Sequence, residues 1–542
     1  MERARGNRRG PATLRSMYQW LLVRKYLFSK IMPLLAALAV VLCTAMVLVT
    51  WSVMGGFLDM FIRSGRTVTG DVAIAWPNVG FPYADELVAK LKADPMIAGA
   101  TPMIESFGLL GLPDGQNKMV IVRGIDPKTY SEVTAYNDIL WWKPITTPLE
   151  KDVTHEDPRL NPGLRDAMEF YQQGGKTLMR VDARSGDAKP AIVLGIEASG
   201  FNWRMEEGFY KPQQYVKRAA DGSEVLVDGF LPRDGEVVLS VLPLSRKGGV
   251  IAQRSMKMPV ANEFQSGLFE ADEKVVFVRL DVLQEMLEMQ KARRVVDTAG
   301  ATAPGEEGES PAYGQVAATV EDPSRVTQVL VRGKGDLGSL GAAVPLKERV
   351  EEIYREFAKA HKGEVPGAST IQIMTWEDQN RTMIAAVQKE TGLLLFLFSL
   401  ISLVAVFLVL AIFWSMIAEK TKDIGIVRAL GAGRLGVAGV WVGYGLAIGV
   451  VGAVLGGVAA YFIVHNINPI HDWIGTITQK ITGNRMLIWD PRIYYFSVIP
   501  NRVDPQKAVI VLVGGILSSA IGAIIPAWRA AAMHPVKALR FE

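Results

Sequence analysis

Four long apolar stretches dominate the hydropathy pattern of this chain, at residues 31–54, 391–418, 435–464 and 508–527. Each is long enough to cross a bilayer as a helix, which takes about 20 apolar residues. None carries Asp, Glu, Lys or Arg. Between the first and second, residues 55–390 alternate strand-like and helix-like patches. Val72–Ala75, Met119–Val122, Ala191–Leu194, Glu236–Leu239, Lys274–Val278 and Thr327–Val331 read as strands. Tyr83–Ala93, Asp281–Lys291 and Leu346–His361 read as helices. The pattern predicts a polytopic α-helical membrane protein with four transmembrane helices. A large α+β domain follows the first span, with room for two packed lobes.

Within that domain, residues 127–190 show little strand pattern and read as an insertion or long excursion. A second insertion near 291–314 includes a Gly-, Ala-, Glu- and Pro-rich stretch from Thr298 to Gly314, which lacks apolar periodicity and reads as a disordered loop. Before the first span, residues 1–30 form a basic segment with Leu14, Met17, Tyr18, Leu21 and Phe28 at helical spacing. That pattern suits a helix lying in the headgroup region, or one that simply continues the first span inward.

Charge orients the picture. Arg and Lys crowd the first thirty residues, the loop 419–434 and the tail 528–542, which places all three on the cytoplasmic side. The domain at 55–390 and the loop at 465–507 then lie outside. A mean hydropathy of +0.19 fits a chain that is part membrane and part water-exposed. The net charge of +4 is too small to indicate a nucleic-acid partner. Cys43, the single cysteine, sits in the first span, so the outer domain is held by its own core and not by an intrachain disulfide. The run at 31–54 exceeds the 7–15 apolar residues of a signal peptide, so we read it as an uncleaved anchor.

Several motifs mislead. Gly333-Lys334-Gly335-Asp336-Leu337-Gly338 matches G-x-G-x-x-G but lacks the second strand and acidic residue of a dinucleotide site. Gly174-Gly175-Lys176-Thr177 imitates the end of a P-loop, yet Phe170 stands where the first glycine belongs. His155, His361, His465, His471 and His534 are scattered; His465 and His471 with Asp472 share the loop after the third span, where an interfacial polar loop is the favoured reading and a metal site the alternative, and no catalytic arrangement is evident. Charge-free spans argue against an ion-coupled carrier. The third span holds Gly439/Gly443, Gly445/Gly449 and Gly452/Gly456 at small-xxx-small spacing, which allows close helix packing within or between subunits.

The loop Glu419-Lys420-Thr421-Lys422-Asp423-Ile424-Gly425-Ile426-Val427-Arg428-Ala429-Leu430-Gly431-Ala432-Gly433 places Ile424, Val427 and Leu430 on one helical stripe. It resembles the loop signature of the FtsX/MacB/LolC type of ABC transporter permeases. The tail Pro526-Ala527-Trp528-Arg529-Ala530-Ala531, continuing to Ala538-Leu539-Arg540-Phe541-Glu542, is similar to that family's ending, with Phe541 for the common Tyr. Tyr18–Leu27, Val122–Pro127, Leu194–Glu197, Phe264–Asp272 and Asp490–Phe496 resemble elements of the lipoprotein-releasing branch, LolC/LolE. Ala198-Ser199 departs from its usual Leu-Ala.

The resemblance implies a MacB-like periplasmic core domain in the bacterial inner membrane. It implies a permease without its own ATPase site or cofactor, with ATP and Mg acting through a LolD-like cytoplasmic ATPase. A second permease copy or paralogue, an acylated lipoprotein and a LolA-like periplasmic carrier would be its partners, together with membrane lipid. Glu419, Lys420, Asp423, Ile424, Gly425, Val427, Arg428, Leu430 and Gly431 are the expected ATPase-coupling residues. From position and bulk, Met46, Val49 and Met54 on the first span and Leu395, Phe398 and Ile401 on the second are expected around an acyl-chain cavity. The alternatives are an FtsX-like signalling protein controlling cell-wall hydrolases and a MacB-like exporter of peptides or small molecules.

Overall fold

Helix α1, Ile31–Thr69, is 39 residues long, about 58 Å at 1.5 Å per residue, roughly twice a ~30 Å hydrocarbon core. The expected span at 31–54 is therefore only its apolar part. The computed structural model describes residues 31–145, 157–181, 186–205, 208–218, 223–228, 236–244, 251–296, 318–483 and 498–534, with residues 249, 487, 489, 495 and 536. The basic segment at 1–30 and the loop at 298–314 lie outside them. The chain divides into two units. One, helical, comprises Met1–Asp59, Met383–Ile488 and Val498–Glu542; the other, α+β, comprises Met60–Thr382 and Trp489–Ser497.

The helical unit continues with α2, Arg381–Glu419, and the short α3, Thr421–Ala429. Then come α4, Arg434–His465, α5, Ile467–Thr482, and α6, Pro505–Ala532. α1, α2, α4 and α6 are long and apolar enough to cross a membrane. α2 also outruns its expected span at both ends, because the helix continues where the apolar pattern stops. The loop expected at 465–507 contains an unforeseen helix, α5.

The α+β unit is built on a nine-stranded sheet. In chain order its strands are β1 (Val72–Ala75), β2 (Ile97–Gly111), β3 (Asn117–Ile125), β4 (Ile192–Gly195) and β5 (Glu236–Val241). These are followed by β6 (Arg254–Phe264), β7 (Val275–Arg279), β8 (Gln328–Gly333) and β9 (Gln372–Thr375). The spatial order is β5-β6-β4-β7-β3-β2-β8-β1-β9, and β5 also pairs with β2. That extra pairing, Val238 to Gly111 through Val241 to Gly108, closes six strands into a ring. The other half of β2 pairs with β8 and carries the remaining strands. β4 is buried at every residue and β7 at all but its last, Arg279, as expected of strands covered on both faces.

Two expectations need correction. Residues 127–145 are no excursion: Tyr130, Tyr136 and Trp142 are among the largest fully buried side chains. Their aromatic bulk replaces strand patterning as the route to burial. The helix expected over Asp281–Lys291 ends at Met286, and Glu288 then turns with φ +55° before a strand at Ala292–Val296.

Candidate coupling helix and intramembrane cavities

α3 joins α2 to α4, and its sides differ. Ile424 is only 5% exposed and packs with Ile417, Val437 and Ala530. Gly425 is buried beside it. Val427 and Leu430 point outward, 45% and 84% exposed, and Ile426 and Leu435 are exposed with them. The expected stripe is therefore corrected: Ile424 fastens α3 to its own unit, because the position four residues before Arg428 falls on the side facing α4 and α6. The outward apolar group is Ile426, Val427 and Leu430. Lys420 Nζ lies 2.9 Å from Asp423 Oδ2. The Arg428 guanidinium donates to the Ala432 carbonyl at 2.8 Å, satisfying the turn that ends at Gly431.

A cavity of about 270 Å³ lies between α1, α2 and α6. Leu395 and Phe398 are in its lining, and Val40, Cys43, Thr44 and Val47 form its α1 wall. Met46 and Ile401 do not; they point away, 50% and 43% exposed. Val49 and Met54 are also outside the lining. The correction is rotational: positions 40, 43, 44 and 47 repeat at helical spacing, and the expected α1 residues lie on the neighbouring face. Cys43 Sγ is 3.0 Å from Ser402 Oγ across this cavity.

The α4 glycines separate into used and unused pairs. A Cβ at Gly445 would stand 2.4 Å from Ala523 Cβ, and at Gly449 3.0 Å from the Ile516 carbonyl oxygen. On the other side, a Cβ at Gly452 would stand 2.7 Å from Val40 Cβ, and at Gly456 2.8 Å from the Val41 carbonyl oxygen. α4 is thus closely packed against α6 and α1 in turn. Gly439 and Gly443 face open space, so among the described residues the spacing there serves no helix contact.

In the α+β unit, Asp71 is wholly buried at the start of β1. It accepts from Arg66 Nε at 2.8 Å and from the Gly333 amide at 3.0 Å, with Arg332 3.6 Å away. Its carbonyl accepts from the Trp376 amide. One residue therefore ties the last turn of α1 to the sheet and to the segment leading into α2. The G-x-G-x-x-G match is absorbed here: Gly333 ends β8, and a Cβ on it would stand 2.5 Å from Leu337. The P-loop-like residues lie inside the helix Arg165–Thr177, where Gly175 accepts from the Tyr136 hydroxyl.

Sequence reasoning missed a buried acidic cluster. Glu263, on β6, accepts from Trp142 Nε1 at 2.7 Å and Asn202 Nδ2 at 2.6 Å. Burial pushes its carboxyl up to about 8. Asp272 accepts from the Ser266 amide at 2.7 Å and from the Tyr495 hydroxyl. Burial raises it to about 6 against those hydrogen bonds. Tyr495 stacks edge-on against Phe269, with the Arg204 guanidinium 4.6 Å from its ring. Only the resemblance of residues 264–272 and 490–496 to one family marked these segments beforehand; no periodicity joins them.

Residues 395–535 match the FtsX-like permease C-terminal family. Over 170 residues the chain is 27% identical to the lipoprotein-releasing system transmembrane protein LolC of Xylella fastidiosa (strain 9a5c), covering 31% of this chain and 40% of that protein. It is 24% identical over 172 residues to LolC of Neisseria meningitidis, 32% and 40% of the two chains. It is 26% identical over 136 residues to LolE of Haemophilus influenzae, 25% and 31% of the two chains. The chain thus matches less than half the length of these relatives. Among solved structures, the periplasmic region of MacB from Actinobacillus actinomycetemcomitans aligns at 10% identity with a TM-score of 0.24, covering 59% of this chain and 95% of that one.

Proposed function

On the premise that this chain is an ABC permease of the FtsX/MacB/LolC type, we propose that it is the membrane subunit of a lipoprotein-releasing complex. A separate cytoplasmic ATPase grips α3, and a second permease completes the assembly. Acylated lipoproteins leave the outer leaflet of the inner membrane for a periplasmic carrier, and the α+β unit stands in the periplasm. The observation that carries this reading is the outward apolar group Ile426, Val427 and Leu430 on a short helix between two long apolar ones. Exposed apolar side chains on a charged connector mark a protein contact. The cargo follows from the relatives, whose names state lipoprotein release. Moving acyl chains out of lipid costs about 0.8 kcal/mol per CH₂, so the work requires an external energy source.

The α1–α2–α6 cavity is the acyl-chain site in this reading, and Cys43 provides a native probe in its wall. Replacing both Val427 and Leu430 by Asp removes two contacts of the kind that each contribute about 2 kcal/mol at an interface centre. ATPase co-purification is then lost while the permease remains folded; undiminished co-purification refutes the docking surface. A benzophenone placed on Cys43 crosslinks an acylated lipoprotein and not its unacylated form. Equal labelling of both, with docking intact, refutes the cargo and favours a signalling role.

A further inference from the structure

A second cavity, of about 440 Å³, opens between α1, α4 and α6 and shares no lining residue with the one just described. We propose that it holds one acyl chain of an anionic membrane glycerophospholipid, with the phosphate at Lys507. The inference stands independently of the cargo assigned above.

The walls are hydrocarbon: Leu48 on α1, Val454 and Val458 on α4, and Ala508 and Leu512 on α6. The lining covers Val454 to Val464 on α4 and Asp504 to Leu512 on α6, about 15 and 12 Å of helix. One leaflet of a ~30 Å hydrocarbon core is about 15 Å deep, so the groove matches one lipid tail in one leaflet. Its volume falls within the roughly 300–1,000 Å³ of ligand cavities. Gly457 keeps it open; a Cβ there would stand 3.2 Å from Leu512 Cδ2.

Two polar groups give the groove a direction. Ser52 lines it and is 5% exposed, and its hydroxyl has no hydrogen-bond partner among the described residues. A buried unpaired hydroxyl is costly, and the ester carbonyl that heads an acyl chain is an acceptor of the right kind. At the mouth, Lys507 Nζ lies 5.7 Å from the Trp51 ring centroid and 3.6 Å from Asp504 Oδ2. Asp504 caps α6 through Oδ1, accepting from the Gln506 and Lys507 amides, while its Oδ2 faces the ammonium, and an incoming phosphate shares the lysine with it. The ammonium, on the first turn of α6, joins the positive end of the helix dipole in favouring an anion. Cation, hydroxyl and apolar groove therefore succeed one another in the order phosphate, ester and tail.

The test is native mass spectrometry of the full-length chain, delipidated in detergent and titrated with dipalmitoyl phosphatidylglycerol or phosphatidylcholine. One phosphatidylglycerol is retained by the unmodified chain. Lys507→Gln weakens it about fivefold, the change equivalent to about 1 kcal/mol for one basic residue at a membrane surface, and leaves phosphatidylcholine unaffected. Gly457→Leu abolishes both adducts, and Lys480→Gln, outside the groove, abolishes neither. The Lys507 variant keeps the test decisive if the Gly457 variant does not fold. Equal retention by all variants overturns the site. Equal affinity for both lipids overturns the phosphate contact. A triacylated lipopeptide that displaces phosphatidylglycerol one for one overturns the phospholipid occupant.

Discussion

Glu263 lies wholly buried at the end of β6, held by Trp142 and Asn202. Asn262 beside it accepts from the Trp142 amide and donates to the carbonyls of Trp142 and Tyr171. With its carboxyl raised to about 8 from an ordinary 4.5, the folded chain keeps a proton that the unfolded chain releases. The sign follows: stability is greatest below the unfolded value and falls as pH rises toward about 8. Asp272, raised to about 6 from 3.8, acts in the same direction over a lower window. Loss of stability between pH 6.5 and 8 therefore belongs to Glu263. Glu263→Gln keeps the shape, removes the ionisation and flattens the thermal midpoint across that interval, leaving below pH 6 only the part of the slope that belongs to Asp272. A midpoint that still falls from pH 6.5 to 8 in the variant would refute the assignment. Little of this was legible in the chain, since burial of an Asn-Glu pair depends on Trp142, more than a hundred residues away.

At the scale of elements, the long helices were visible because uncharged runs have few other solutions. Their ends were not, because α1 continues through Gly55, Gly56, Asp59, Arg63, Gly65 and Arg66, where neither apolar pattern nor helix propensity marks a helix. The glycine spacings in α4 were equally visible, yet spacing alone cannot say which neighbour fills each notch. The structure separates them by what a side chain would meet. Gly452→Leu drives a branched side chain into Val40 and the Ala37 carbonyl, and overpacking of this kind costs about 1–3 kcal/mol or more. Gly439→Leu meets open space and leaves the detergent-solubilised thermal midpoint unchanged. Should Gly439→Leu destabilise the isolated chain as strongly as Gly452→Leu, the division into used and unused pairs fails. Should it leave the chain stable but separate a second permease, the Gly439/Gly443 notch belongs to that subunit. The α1 face lining the cavities was misread for a related reason: bulk chose Met46, whereas rotation about the axis chose Cys43 and Val47.

For the molecule as a whole, function in the proposed reading requires work at α3 to reach the α+β unit through chain that does not bend. α1 and α2, each 39 residues, are the unbroken elements whose residues fall in both units. The join to the sheet is then the critical place, and Asp71 occupies it, bonded to Arg66 from α1 and, through its carbonyl, to Trp376 ahead of α2. Removing one partner of a buried ion pair costs about 3–5 kcal/mol. Arg66→Met falls toward the lower end, because the Gly333 amide and Arg332 still face the carboxylate. ATPase binding at α3 is untouched by this change, since Val427 and Leu430 lie in the other unit. The expected outcome is an assembled complex that hydrolyses ATP but releases acylated lipoprotein poorly, with Arg66→Lys intermediate because it keeps the charge and loses the fork. Measuring hydrolysis and release on the same preparation decides it. Proportional loss of both activities would place Arg66 in general stability, and full release with Arg66→Met would remove Asp71 from the path of force.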